Sequence, residues 1–235
     1  QKEKIISSEH HLTHAFSAIF SSPYFHHEEN MLAITVDGEG DMLSSSVGSF
    51  DPMTMQYRRI AHSHYSESLG NFYSAVTSYL GMKMLEHEYK VMGLAANGDQ
   101  KPFRRQMDEH VEVFPDGSYA LNLKYFDYVR TDRMFNKHLE ELFGHPMRNP
   151  ESLMERLYEN IAASLQEKLE TVVFHLLAVA HKRYKTDNLC LAGGVALNSV
   201  MNGKILKNTP FKRLYIPPDP GDGGGAMGAA LAWWH

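Results

Sequence analysis

Cysteine occurs once in this 235-residue chain, at Cys190. A single thiol excludes any disulfide framework within the chain, and such a sequence fits a reducing cytoplasm. Long apolar runs are also missing. The longest, around residues 171–180, is interrupted by His175 and falls far short of the ~20 residues a membrane span requires. There is no excess of basic charge either: the net charge is −5 with histidine neutral. Neither nucleic acid nor an anionic membrane is therefore expected as a partner. No internal repeat, low-complexity tract, proline- or serine-rich linker or signal peptide is visible, and the chain opens at Gln1 without an initiator methionine. It reads as a piece of a longer protein. With 43% hydrophobic and 22% charged residues, one large or two small globular domains are expected.

The most informative stretch is residues 187–231. An apolar strand over 188–192 ends in Gly193-Gly194, a helix is expected from about Val195, and a second strand near 214–216 leads through Pro217-Pro218 into Gly221-Asp222-Gly223-Gly224-Gly225 and a closing helix. Paired glycines between a strand and a helix let backbone N–H groups and a helix N-terminus face an anion. The small residues Ala226, Gly228, Ala229 and Ala230 suit close packing of that last helix on a sheet. Ordinary turns and caps use glycine in the same way.

Near the start, residues 7–20 carry helical spacing after a cap-like serine. His10 and His14 are four apart and share a face, so the two imidazoles can hold one metal ion. Packing and surface histidines adopt this spacing more often, and His11 points to another face. Residues 30–37 read as a β-branched strand that enters the turn Gly38-Glu39-Gly40-Asp41, with strands at 42–50 and about 55–61 following. Residues 66–81 form an amphipathic helix with core positions Leu69, Phe72, Tyr73, Val76 and Leu80. Lys90 precedes a Gly-Leu-Ala segment and suits either a phosphate or solvent. Residues 97–148 carry no chemistry, only turns, short strands and a helix near 133–142. Asn149 and Pro150 look like the cap and first position of a long helix ending near 182–183, with His175 and His181 structural. Alternating strands and helices indicate α/β.

The run Leu191-Ala192-Gly193-Gly194-Val195-Ala196-Leu197-Asn198, with Pro217-Pro218, Asp222 and 225–231, resembles the O-carbamoyltransferases of nodulation-factor and antibiotic biosynthesis. Their catalytic domain is related to tRNA threonylcarbamoyl-transferring enzymes and, more remotely, to sugar kinases, actin and chaperone ATPases. The resemblance extends from His10 to Leu231, and His10, His14 and Ala15 match the family's histidine pair and its alanine.

The resemblance implies an actin-like ATPase, ribonuclease H-like fold, with a partial first lobe over 1–148 and a complete second lobe over 149–235. It implies a divalent metal, usually iron, held by His10, His14 and Asp222. Asp37 would be a ligand or stand behind one, and Zn or Mn suits the same donors. Gly38, Gly40, Lys90, Gly193, Gly194, Asn198 and Gly223 are the expected nucleotide or substrate contacts. The implied reaction passes a carbamoyl group from carbamoyl adenylate, made from carbamoyl phosphate and ATP by a separate domain, to a hydroxyl of a small-molecule acceptor. An actin-like phosphotransferase or ATPase, or a non-catalytic nucleotide-binding module, would share these features. Strands ahead of Gln1 and a domain after His235 are expected, leaving an exposed edge at residues 31–37 that would favour a homodimer.

Overall fold

The computed structural model describes residues 7–131 and 133–235, so the expectations placed on Gln1 lie outside the described residues. In chain order the elements are α1 (His10–Ser21), α2 (Pro23–His26), β1 (Met31–Gly40), β2 (Leu43–Asp51), β3 (Gln56–His64), α3 (Leu69–Tyr79), α4 (Glu88–Ala95), α5 (Arg104–His110), β4 (Val111–Val113), β5 (Tyr119–Leu121), α6 (Lys137–Phe143), α7 (Arg156–Tyr184), β6 (Asn188–Ala192), α8 (Ser199–Asn202), α9 (Ile205–Asn208), β7 (Arg213–Tyr215) and α10 (Gly225–Trp234). They form two compact units. Unit one holds the described residues up to Tyr65 with His181–Leu197 and Ile205–His235, and unit two holds Ser66–Ala180 and Asn198–Lys204.

Unit one is built on a five-stranded sheet in the order β3-β2-β1-β6-β7. β1 runs antiparallel to β2 and parallel to β6, and β6 runs parallel to β7. Residues 31–37 of β1 are buried without a break, as a strand covered on both faces requires. Alternation sends Met31, Ala33, Cys190 and Ala192 to the face where Ala15, Ala18, Ile19 and Phe20 of α1 complete the core. By the same period of two, Thr35 and Asp37 point to the α1 side.

Several expectations are corrected here. Residues 31–37 are not an edge, because β1 is paired on both sides and the sheet's edges are β3 and β7. A boundary at 148/149 would separate β1 from β6, which pair from Leu32↔Leu189 to Thr35↔Ala192. The strand continues through Gly38, Glu39 and Gly40, and the turn falls on Asp41 and Met42, with φ of 50° and 67°. Positive φ at both central residues makes a two-residue hairpin whose twist matches its strands.

Helix starts also shift. Glu9, not a serine, caps α1 by accepting the Leu12 N–H at 2.7 Å. Asn149 closes a local turn by accepting from Glu151 N, and α7 begins only at Arg156, leaving Leu153 exposed. After β6 the chain makes a 3-10 turn (Gly194–Leu197) and the short α8 rather than one helix. α10 packs against α1, where a Cβ on Gly228 would lie 1.9 Å from the Thr13 carbonyl oxygen.

Unit two gathers α3, the last third of the 66–148 stretch and α7 around Phe72, Tyr79, Leu139, Ile161, Leu165 and Leu169, all at most 1% exposed. Among the described residues no helix is long and apolar enough to cross a membrane.

Candidate metal centre

Four side chains of unit one converge: His10, His14, Asp37 and Asp222, with one ligand atom from each and all four atoms within 4.8 Å of one another. Each arrives by a traceable route. His10 and His14 lie one turn apart on α1, with their Nε2 atoms 3.0 Å apart. Asp37 reaches them from the covered face of β1, its Oδ2 standing 3.2 Å from His10 Nε2 and 2.8 Å from His14 Nε2. Asp222 opens the 3-10 turn before α10, and the packing of α10 on α1 carries its Oδ1 to 3.5 Å and 3.4 Å from the same two nitrogens.

With imidazoles unprotonated at Nε2 and ionised carboxylates, each of these atoms presents a lone pair to the others. Such a set is held by protons on the rings or by a cation. Around an ion with bonds of ~2.1 Å, neighbouring ligand atoms stand about 3.0 Å apart in an octahedron and about 3.4 Å in a tetrahedron. The separations from the two imidazole nitrogens, 2.8–3.5 Å, bracket those values. Two imidazoles and two carboxylates suit Fe(II), Zn or Mn, so the donors fit the expected metal.

Asp37 is the anchored member. Burial by itself would raise its pKa, but hydrogen bonds from His10 and His14, with the Gly38 N–H at 2.7 Å, outweigh it and hold the carboxyl far below the usual carboxylate range. Its Oδ1 also accepts the Gly194 N–H at 3.0 Å. That contact follows from register: Thr35 pairs with Ala192, so two residues further along each strand Asp37 meets Gly194. The hydrogen bond to Asp37, opposed by partial burial, raises the pKa of His10. His11 turns away, its Nδ1 lying 2.8 Å from the Thr35 hydroxyl.

The expected nucleotide contacts distribute differently. The anion that the Gly193-Gly194 turn faces is Asp37 itself. Gly193 adopts φ +91°, a Cβ there would sit 2.3 Å from the Val36 carbonyl oxygen, and its N–H donates to the Pro220 carbonyl at 2.7 Å. The turn thus ties the Asp222 loop to the end of β6. Gly223 makes room for Asp219, whose Oδ2 lies 2.0 Å from where its Cβ would be, and Gly40 makes room for the His10 ring. Asn198 belongs to unit two, where its Oδ1 caps α8 at Met201 N and its Nδ2 donates to Gln166. Lys90, also in unit two, is exposed, with its Nζ 2.8 Å from His87 Nε2. Unit two contains a cavity of about 470 Å³ bordered by Met92, Gly98, Gln166, Glu170 and Lys204. Lys204 is bound there by both carboxylate oxygens of Glu170, at 2.6 and 2.8 Å. Sequence spacing did not point to Glu9 or to a contact of Asp41 with α1, and Gly228, expected to bring the last helix close to a sheet, brings it close to α1 instead.

The chain belongs to the carbamoyltransferase family, matching the family model described as the carbamoyltransferase N-terminus over residues 1–231. It is 40% identical over 233 residues to the uncharacterised protein sll1178 of Synechocystis, covering 98% of this chain and 37% of that one. It is 36% identical over 224 residues to the nodulation protein NolNO of Sinorhizobium fredii, covering 94% of this chain and 30% of the relative, and equally identical to NolO of Bradyrhizobium diazoefficiens, covering 94% and 37%. The chain therefore spans about a third of the length of these curated relatives. A full-length HypF crystal structure in a phosphate- and nucleotide-bound form superposes with a TM-score of 0.60 at 15% identity, over 97% of this chain and 42% of HypF. That likeness is one of mixed α/β fold.

Proposed function

We propose that this chain is the transferring core of a metal-dependent O-carbamoyltransferase, which passes a carbamoyl group from carbamoyl adenylate to a hydroxyl of a small-molecule acceptor. The convergence of His10, His14, Asp37 and Asp222 at 2.8–3.5 Å carries this reading. Family membership supports carbamoyl transfer as the reaction class, and oxygen as the acceptor atom comes from the resemblance to the O-carbamoyltransferases.

A divalent cation, Fe(II) by the resemblance and Zn or Mn by donor type, would supply Lewis acidity toward the carbamoyl carbonyl oxygen. The chain's own residues hold and expose the place where this would happen. Asp37 is pinned by two backbone N–H groups and His14 is buried, so these two form the fixed back of the centre. The Asp222 side chain is 80% exposed and forms its open side, where substrate approaches. In the transfer, the acceptor oxygen bonds to the carbamoyl carbon, the bond from that carbon to the adenylate oxygen breaks, AMP leaves and the hydroxyl proton passes to solvent.

The strand order of unit one, with its antiparallel β3-β2-β1 meander continued by parallel β6 and β7, supports the actin-like, ribonuclease H-like fold and a nucleotide-borne donor. The same order favours the second reading, an actin-like phosphotransferase or ATPase. AMP release that depends on carbamoyl phosphate, measured on the whole protein, separates the two.

Elemental analysis tests the metal. About one divalent ion per chain is expected in the wild type and less than about a tenth of that in His14→Ala. Equal metal in both proteins would remove the site.

A further inference from the structure

We propose that the tip of the β1–β2 hairpin, Gly40 with Asp41, is the positioning element of the metal centre, and that it works by seating the first residue of α1. The inference rests on the metal reading above. His10 is that first residue, and its N–H is one of the donors a helix start leaves without an internal partner. Asp41 Oδ2 accepts it at 2.7 Å. The His10 ring lies against Gly40, where a Cβ would stand 2.1 Å from Cδ2 and 2.2 Å from Cγ. One ligand is thus held at its backbone by one residue of the tip and at its ring by the residue before it.

The tip is itself fixed. Asp41 and Met42 both occupy the left-handed region, which sets a two-residue loop with little freedom. The Met42 carbonyl accepts the Tyr65 N–H at 2.9 Å, tying the tip to the chain just beyond β3. A second tie reaches α1 from β3: Glu9 accepts the Leu12 N–H at 2.7 Å and is ion-paired with Arg59. The first turn of α1 therefore has two lateral supports on the hairpin sheet, and the one at Asp41 bears directly on a ligand. The tip carboxylate also lies at the positive end of α1.

The loop geometry allows the hydrogen bond to be separated from the turn. Asp41→Gly keeps the left-handed conformation and removes the acceptor. Asp41→Asn keeps both and removes the charge. Gly40→Ala drives a methyl group into the His10 ring. Each variant is titrated with Zn(II) against a chelator and with Co(II), whose visible absorption reports the ligand geometry, and the melting temperature of each metal-free protein is recorded.

Asp41→Gly and Gly40→Ala are expected to weaken Zn(II) binding at least about tenfold and to alter the Co(II) spectrum, as supports of metal ligands commonly do. Asp41→Asn is expected to stay within about threefold of the wild type, with its spectrum unchanged. Wild-type affinity and spectrum in Asp41→Gly and Gly40→Ala would overturn the proposal, as would Asp41→Asn losing as much as Asp41→Gly, since charge and not the hydrogen bond would then be responsible. A wild type that binds no Zn(II) or Co(II) would instead remove the metal reading, and this inference with it.

Discussion

Some residues of this chain act through what surrounds them more than through what they touch. His110 is fully buried in unit two, with the rings of Phe72, Tyr125, Phe126 and Phe143 at centroid distances of 5.0–5.7 Å. Neither ring nitrogen has a hydrogen-bond partner among the described residues. Burial, with some repulsion from Lys168, pushes its pKa down to about 3. The sign follows: below the unfolded value of about 6.5 the unfolded chain takes up a proton that the folded chain refuses, so stability is complete above that pH and is lost as pH falls toward 3. Over that window this one group is expected to remove about 1.4 kcal/mol per pH unit. Urea unfolding of the wild type and of His110→Phe between pH 7 and pH 4 checks it, and the variant is expected to show a shallower loss. Nothing in the sequence around His110 signalled burial, because its aromatic neighbours come from three separate segments. The His10–His14 pair was legible, because helical spacing alone places two side chains on one face.

At the scale of elements, the decisive contact is that of α10 on α1. Gly228 meets the Thr13 carbonyl, Gly225 faces the Thr13 hydroxyl, and Thr13 lies between the two histidines. Glycine at these positions allows the approach that brings Asp222 to the imidazoles. Gly228→Ala, with its Cβ placed 1.9 Å from backbone oxygen, must push α10 outward, at a cost of about 1–3 kcal/mol. Thermal unfolding is expected to report that loss and metal titration a weaker site, whereas Ala230→Ser on the same helix should leave both unchanged. β6 was readable to its residues, 188–192, since an unbroken apolar run bounded by turn residues has few alternatives. The 3-10 turn after it was not, because whether Gly194 begins a helix depends on where its N–H finds an acceptor, and that acceptor is Asp37, 157 residues away in the chain.

Across the whole molecule, unit one is assembled from three separated stretches and unit two from two. Separate expression of residues 1–148 and 149–235 is therefore expected to give two chains without cooperative unfolding transitions, since the cut leaves β1 without β6. Circular dichroism melts decide this, and a sharp transition in either piece would show that the sheet tolerates the loss. The amino-acid sequence by itself determined the α/β class, most of the elements, the histidine pair on one face of α1 and the resemblance to carbamoyltransferases, because periodicity, turn residues and contiguous motifs are local properties. Only the tertiary structure decided that β1 is central, that Gly194 donates to the Asp37 carboxylate, and that Asp41 and Gly40 support His10. Each of these depends on the register of strands far apart in the chain and on how closely two backbones approach, and neither quantity is written in any single stretch of residues.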